Sequence, residues 1–393
     1  MLIPKLAFKN MRGAGLKTWL NAGVLSMAFV VIIWTQGLYQ GIDAEASRAM
    51  TDAEYGGGQF WMNGYDPYDP LTLQDAHAPV PAPLVSMIDA GRAAAFLVVP
   101  ATIYPNGRLM SAVLKGVDPD QRVLSLPAAV LKASHTEVPA LIGTRMAQSA
   151  GLKKGDVVTV RWRDARGTFD AREIEIVEVM STVVGTIDSG LIWLPLETLR
   201  EMAALPGQAT IVVTAKGTAP GTLPAVPGWT FVGPDVLMKD VKTLVQSKTI
   251  GASIMYVILI FLAMLAVFNT QLLSIWRRRK EIGTIMALGM PRGRIVGLFT
   301  LEGALTGVLA AAIGAVYGIP LLALTAIRGI GLGASLGDSF GLALSEKLYP
   351  VYSVLLVGGT TLLIFLVTTA VSYLPTRRIS RLKPTDALRG RFS

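Results

Sequence analysis

Residues 249–276 read TIGASIMYVILIFLAMLAVFNTQLLSIW, which is 28 positions without an Asp, Glu, Lys or Arg. An α-helix needs about 20 apolar residues to cross the roughly 30 Å hydrocarbon layer of a membrane. Helices in the core of soluble proteins rarely stay free of charge for so long. The stretch therefore predicts a transmembrane helix, and the fold class follows from it.

Three further charge-free stretches cover residues 18–42, 303–327 and 348–376. The transmembrane helix that contains residues 303–327 is expected to begin earlier, near Ile295. The chain has 393 residues, of which 52% are hydrophobic and only 16% are charged. This composition excludes a disordered chain, a fibrous repeat and most soluble enzymes. We predict an α-helical membrane protein whose four transmembrane helices cover residues 18–42, 249–276, 295–327 and 348–376.

Basic residues cluster beside these spans. Segments 1–17, 277–294 and 377–393 together hold sixteen Lys and Arg residues against two acidic residues, whereas the loop 328–347 has no net charge. Short loops rich in Lys and Arg remain on the cytoplasmic side of a membrane. The pattern predicts a 1 + 3 layout in which both termini and the 277–294 loop are cytoplasmic. Loop 328–347 is then a short outer loop, and segment 43–247 is extracytoplasmic.

The charge of the outer segment differs from that of the whole chain. Segment 43–247 holds 17 basic and 22 acidic residues, although the chain as a whole carries a net charge of +9. The basic excess therefore lies next to the membrane, where topology and anionic lipid explain it better than nucleic acid does. We expect the lipid bilayer to be a partner and expect no binding of nucleic acid.

The outer segment has the composition of a folded α+β domain. Val158, Val160 and Trp162 alternate with polar residues, which is typical of a half-buried strand, and residues 173–179 form a second candidate strand. The chain has no cysteine, but a domain of this length builds a sufficient core without disulfides. We predict a large extracytoplasmic α+β domain.

Three other segments of this domain have distinct patterns. Residues 65–83 are rich in proline and are predicted to be a loop, and a helix is predicted to begin after Pro195. From Leu237 onward the apolar positions have helical spacing, with charged residues between them. This spacing predicts a continuous helical stalk that joins the second span.

The sequence contains no motif for catalysis. It has no P-loop, no HExxH and no GxSxG, so we predict no catalytic residue, no metal ligand and no cofactor in this chain. His77 and His135 are interpreted as surface or loop residues. Asp66 and Asp69 are interpreted as turn residues, with cation binding as the less favoured alternative. Glu302 lies in the third span and has no acidic neighbour with which to form a proton relay.

The third span carries small residues at close intervals. Gly303 and Gly307 are four residues apart, as are Gly314 and Gly318. Such spacing lets two helix backbones approach closely. We expect these glycines to pack against another helix, which belongs either to the same chain or to a second copy.

Two motifs resemble those of a known family. The loop after the second span reads RRKEIGTIMALGM at residues 278–290 and is followed by Glu302-Gly303, and residues 375–389 read PTRRISRLKPTDALR. Both resemble the signature of the FtsX-like permeases of ABC transporters, the type VII or MacB-like class. Residues 116–118, 140–147 and 151–156 resemble the MacB-type periplasmic core domain of that class.

The resemblance implies a specific role for the loop between the second and third spans. In such permeases a short coupling helix in this loop docks on an ABC ATPase, which holds the ATP and Mg in a separate partner chain. A helix that lies on the lipid surface is the alternative. Residues 1–17 resemble the interfacial elbow helix of the family. The residues implied in ATPase coupling are Glu281, Ile282, Gly283, Met286, Ala287, Leu288 and Gly289.

The resemblance also implies a function. The chain is expected to be a permease subunit, not an enzyme, that works in a bacterial inner membrane with a second permease copy or a homologous permease. It would transmit ATP-driven motion to the outer domain for the release of lipoprotein or lipid, with lipoprotein and a periplasmic chaperone as further partners.

Two alternatives to lipoprotein release stay open. The first is export of amphipathic peptides or drugs, as in macrolide exporters, and the second is signalling to envelope hydrolases or sensors without transport. One lipoprotein-release subunit has a long hooked loop between two outer strands, but the matching connection here covers only residues 164–171. The sequence therefore leaves the substrate open.

Overall fold

The computed structural model describes residues 16–377 except 70, 133–136, 183, 220, 222 and 332–346. The described residues form two compact units. The first unit contains residues 16–42, 245–331 and 347–377, and the second contains residues 43–244. Nearly all of the predicted elbow helix at 1–17, and the C-terminal motif beyond residue 377, lie outside the described residues.

The helices and strands are numbered in chain order. The helices are α1 (Leu16–Met50), α2 (Ala82–Asp89), α3 (Thr144–Ala150), α4 (Gly185–Asp188), α5 (Leu196–Ala203), α6 (Pro234–Leu237), α7 (Lys239–Arg277), α8 (Arg279–Ala287), α9 (Arg292–Arg328) and α10 (Val354–Thr376). The strands are β1 (Gln59–Met62), β2 (Ala78–Pro79), β3 (Ala93–Ile103), β4 (Met110–Val117), β5 (Val138–Gly143), β6 (Val157–Arg163), β7 (Phe169–Met180), β8 (Leu191–Pro195), β9 (Gln208–Ala209), β10 (Ile211–Thr214), β11 (Trp229–Val232), β12 (Ile330–Gly331) and β13 (Lys347–Leu348).

Among the described residues, four helices are long and apolar enough to span a membrane: α1, α7, α9 and α10. Three of them extend beyond the charge-free stretches, because charged residues that lie outside the hydrocarbon layer are compatible with a helix. α1 continues past residue 42 to Met50 and is followed by a π-helical turn, Thr51–Tyr55. The predicted stalk is interrupted once, at Met238, whose ψ of 0° separates α6 from α7.

The fourth apolar helix begins later than the charge-free stretch at residue 348. α10 starts at Val354 because the side chain of Ser353 caps it, accepting a hydrogen bond of 3.2 Å from the backbone N–H of Leu356. The absence of charge identifies a segment that can lie in a membrane. The serine cap determines where the helix begins within that segment. The predicted loop at residues 65–83 also changes, because β2 and the start of α2 lie within it.

Small polar side chains line the contact between α9 and α10. On α10, the Thr368 hydroxyl donates to the Ile364 carbonyl at 2.8 Å and the Ser372 hydroxyl donates to the Thr368 carbonyl at 2.7 Å. Gly303 and Gly307 of α9 lie opposite these two side chains. A Cβ atom at Gly307 would lie 2.6 Å from the Thr368 hydroxyl oxygen, and one at Gly303 would clash with Ser372. The two glycines therefore allow the close approach of α9 to α10.

The other two glycines of α9 face α1. A Cβ atom at Gly314 would lie 3.1 Å from the ring of Phe29, and one at Gly318 would lie 2.7 Å from a methyl group of Val30. All four predicted packing glycines thus contact helices of their own chain. The contact of a second copy with these positions stays a prediction.

A pair of glycine substitutions tests this packing. Alanine normally favours a helix over glycine by up to about 1 kcal/mol. We expect Gly303→Ala to lower the free energy of unfolding by about 1–3 kcal/mol because the methyl group overpacks the α9–α10 contact. Gly297→Ala is the matched control, because a Cβ atom there has no neighbour within 4 Å. Equal thermal stability of the two variants in detergent micelles would contradict the packing.

The second unit is built on a mixed sheet of nine strands in the order β11-β1-β10-β3-β4-β8-β5-β7-β6. The long strand β3 pairs with β10 through its first half and with β6 through residues Ala101 to Ile103. Because β6 is also the last strand of the sheet, this second pairing closes six strands into a barrel. The strands β10, β1 and β11 extend from the barrel at β3.

The two strands predicted in this domain form a hairpin. β6 and β7 are antiparallel, and Val158, Val160 and Trp162 of β6 are buried as their alternation predicts. The connecting turn is residues 164–168, in which the Asp164 carboxylate accepts two backbone hydrogen bonds. Gly167 adopts the positive φ of +87° that this turn requires.

One charged side chain lies in the core on one face of this sheet. Lys115 on β4 is only 7% exposed, and its Nζ lies 4.9 Å from the ring centroid of Trp193 and 5.5 Å from that of Phe96. Burial lowers the pKa of Lys115, and the Glu54 carboxylate offsets part of this effect. The unfolded chain therefore binds more protons than the folded unit at pH values between the lowered pKa and the ordinary value of 10.5. Within that window the stability of the unit rises with pH.

Replacement of this lysine tests the cost of the buried charge. We expect Lys115→Met to raise the midpoint of thermal unfolding, by about 2–4 °C for each kcal/mol gained, and to remove the pH dependence described above. Lys153→Met is the control, since Lys153 is exposed. Thermal scans of both variants at several alkaline pH values measure the effect. A lower midpoint for Lys115→Met would show that the ammonium stabilises the core.

Candidate functional site

One face of the short helix α8 is buried against the neighbouring helices α7 and α9. Ile282 is fully buried and Met286 nearly so, and both pack with Ile275 of α7 and with Ile295 and Phe299 of α9. Periodic apolar residues on one side of α8 thus form a small core with the two neighbouring helices. The position of α8 relative to α7 and α9 depends on this core.

The end of α8 presents a different surface. Leu288 is the C-cap residue of α8 and is 82% exposed, and its backbone N–H donates to the Thr284 carbonyl at 3.0 Å. Exposed basic side chains of Lys280, Arg292 and Arg294 belong to the same segment of the chain. The segment therefore offers one large apolar side chain together with positive charge.

Gly289 turns the chain from α8 into α9. Its φ is +90°, and its backbone N–H donates to the Met286 carbonyl at 3.0 Å. The next N–H, of Met290, donates to the Ile285 carbonyl at 3.2 Å, which completes a Schellman-type end of the helix. Pro291 then precedes the first turn of α9. A side chain at Gly289 would strain this turn, so Gly289 shapes the loop.

The seven residues implied in ATPase coupling fall into two groups. Glu281, Ala287, Leu288 and Gly289 are exposed, whereas Ile282, Gly283 and Met286 are buried against α7 and α9. The buried group has no free surface for a partner in this conformation, because the apolar positions of α8 face its own chain. These three residues position α8, and the exposed residues remain the candidate contacts.

The other residues singled out in the sequence have local partners. The His77 Nδ1 atom lies 2.7 Å from the Gln208 side-chain oxygen. The Asp66 and Asp69 carboxylates each accept a hydrogen bond of 2.9 Å from the backbone N–H two residues later. These are the bonds of Asx turns, in line with the turn interpretation. His135 lies outside the described residues.

A cleft of about 980 Å³ opens on the second unit. It is lined by the start of β3, the C-terminal end of α2, the N-terminal end of α5 and the loop 118–123. Sequence reasoning missed this cleft because these segments are far apart in the chain. Its lining includes apolar side chains, among them Val85, Ile88 and Leu196, and charged side chains, namely Asp89, Asp118, Asp120, Arg122, Glu197 and Arg200.

Comparison with known proteins finds similar permeases. The profile described as FtsX-like permease C-terminal matches residues 253–384, which contain α8, α9 and α10. The macrolide export ATP-binding/permease protein MacB of Bordetella avium (strain 197N) is 26% identical over 239 residues, 56% of this chain and 34% of that protein. Residues 253–384 thus match the FtsX-like permease family, and the chain is similar to MacB-like proteins.

Further relatives have the same description. MacB 2 of Aeromonas hydrophila subsp. hydrophila is 24% identical to this chain over 300 residues, 72% of this chain and 40% of that protein. MacB of Brucella abortus (strain 2308) is 30% identical over 150 residues, 38% of this chain and 20% of that protein. The chain thus spans about a third of the length of the first of these relatives.

Among solved structures, the extracellular domain of the noncanonic ABC-type transporter YknZ from Gram-positive bacteria is similar to 41% of this chain. The match covers 84% of that chain at 14% sequence identity, with a TM-score of 0.26.

Proposed function

We propose that the chain is the permease, the membrane subunit of an ABC transporter in a bacterial inner membrane, and that a separate ABC ATPase docks on α8. The observation that carries this proposal is the division of the α8 segment into a buried and an exposed side. Ile282 and Met286 hold α8 in the first unit, while Leu288 is free to meet a partner. A helix anchored on one side and contacted on the other passes a displacement to its neighbours.

The proposed orientation follows from the charges beside the spans. Sixteen basic and two acidic residues in segments 1–17, 277–294 and 377–393 support a cytoplasmic position for both termini and for α8. In the 1 + 3 layout the second unit is then extracytoplasmic. The basic residues near Leu288 would meet an acidic rim on the ATPase.

We assign the handling of cargo to the second unit and favour the export of amphipathic peptides or drugs. Two observations support this choice over lipoprotein release. The curated relatives described above are macrolide export proteins. The cleft on the second unit, at about 980 Å³, combines apolar and charged residues and lies near the upper end of the range of roughly 300–1,000 Å³ for small-molecule sites.

Substitution of the exposed leucine tests the docking surface. We expect Leu288→Glu to weaken ATPase binding by about tenfold or more, because it places a charge in a contact that excludes water. Leu109→Glu is the matched control, since Leu109 is 68% exposed and lies in the second unit. Leu288 is a sharper choice than Gly289, where any side chain also strains the backbone. The measurement is the amount of ATPase that co-purifies with the tagged permease from native membranes.

The same preparation separates the alternatives. Full binding of the ATPase to Leu288→Glu would contradict the docking surface, and absence of any ATPase from the wild-type preparation would contradict the transporter proposal. Stimulation of ATP hydrolysis by an added macrolide supports export. Lipoprotein bound to the purified complex would favour lipoprotein release instead.

A further inference from the structure

Arg278 lies at the bend between α7 and α8. Its φ of −97° and ψ of 13° are outside the helical range. Its backbone nevertheless forms one hydrogen bond with α7 and one with α8. Its N–H donates to the Ser274 carbonyl at 3.1 Å, and its own carbonyl accepts from the Ile282 N–H at 3.0 Å. Any change in the angle between α7 and α8 must therefore pass through this residue.

The side chain of Arg278 reaches two carboxylates. Its Nε lies 2.9 Å from Glu281 in the first turn of α8, and its Nη1 lies 3.1 Å from Glu302 on α9. The guanidinium carbon also lies 5.2 Å from the ring centroid of Phe299, one turn before Glu302. One planar cation thus contacts both α8 and α9, in the forked geometry that guanidinium groups favour.

The contact between Arg278 and Glu302 is shielded from water. The side chain of Arg278 is 25% exposed and that of Glu302 only 8%. Separating two opposite charges that are shielded from water is strongly unfavourable. The pair therefore resists separation when α8 is displaced.

Glu302 is directly followed by the glycine that touches α10. Gly303 lies against Ser372, and a side chain at this position would clash with the Ser372 hydroxyl. The dipeptide Glu302-Gly303 therefore contacts α8 on one side, through Arg278, and α10 on the other. This placement gives a physical reason for the position of an acid and a glycine next to each other in the third span.

We propose that the Arg278–Glu302 ion pair is the joint that transmits a displacement of α8 to α9 and α10. Arg278 and Glu302 are positioning residues, since neither contacts nucleotide or cargo in this chain. The inference rests on the proposed docking of an ATPase on α8. It adds the element inside the permease that receives the motion.

The absence of cysteine allows a direct test of the joint in the full chain. Spin labels are attached at Thr284→Cys on α8 and Gly297→Cys on α9, two exposed positions, and the distance between them is measured in nanodiscs. We expect one narrow distance distribution in the wild type, a broad one in Arg278→Gln and in Glu302→Gln, and a narrow one again in the reversed pair Arg278→Glu/Glu302→Arg.

Arg277→Gln is the matched control. It removes the same charge one residue earlier, from an exposed side chain with no ion pair in the described part of the chain. Its distance distribution should stay narrow. A broad distribution in Arg277→Gln, or a narrow one in Glu302→Gln, would overturn the joint. Glu302→Gln keeps the shape of the side chain, so the test does not depend on the reversed pair folding.

A second measurement separates failure of the joint from failure of the proposed function. In complexes with the ATPase, Glu302→Gln should retain ATPase binding but lose about tenfold in cargo-stimulated ATP hydrolysis, and the reversed pair should recover most of this loss. The distance measurement needs no ATPase. A narrow distance distribution in Glu302→Gln would refute only the joint. Broad distance distributions in Arg278→Gln and Glu302→Gln, together with no ATPase binding to the permease, would refute only the docking proposal.

Discussion

The close contact between α9 and α10 is the constraint on which the first unit depends. Inside a membrane every polar group must find its partner within the protein. The hydroxyls of Thr368 and Ser372 meet this requirement by donating to their own helix, and the glycines opposite leave room for them. This contact sets the position of α9, and with it the position of Glu302, the acid that Arg278 reaches from the end of α7.

Much of the fold is visible in the sequence, because the membrane requires long charge-free stretches and strand β6 of the second unit has a strict period of two. The limits of the helices are less visible. α10 begins at a serine cap, inside the charge-free stretch, and the break at Met238 is a single residue in an otherwise helical pattern. Such local geometry is determined by backbone hydrogen bonds, which a hydropathy pattern does not predict.

The candidate site was predictable as a segment but not residue by residue. The family motif names Ile282 and Leu288 alike, yet one is fully buried and the other is 82% exposed. The distinction depends on which side of α8 faces α7 and α9. Long-range contacts were also hidden, namely the closure of the barrel by β3 and β6 and the cleft between distant segments. A signal for the ion pair did exist, since Glu302 is an acid in an apolar span and such a residue needs a partner.

The account as a whole requires that α8 and the second unit lie on opposite sides of the membrane. Because the chain has no cysteine, single cysteines can be placed at two exposed positions, Leu288 after α8 and Phe169 in the β6–β7 hairpin. A membrane-impermeant maleimide is then added to intact bacterial spheroplasts. The account predicts labelling of Phe169→Cys at once and of Leu288→Cys only after the membrane is opened. Labelling of Leu288→Cys in intact spheroplasts, or protection of Phe169→Cys, would contradict it.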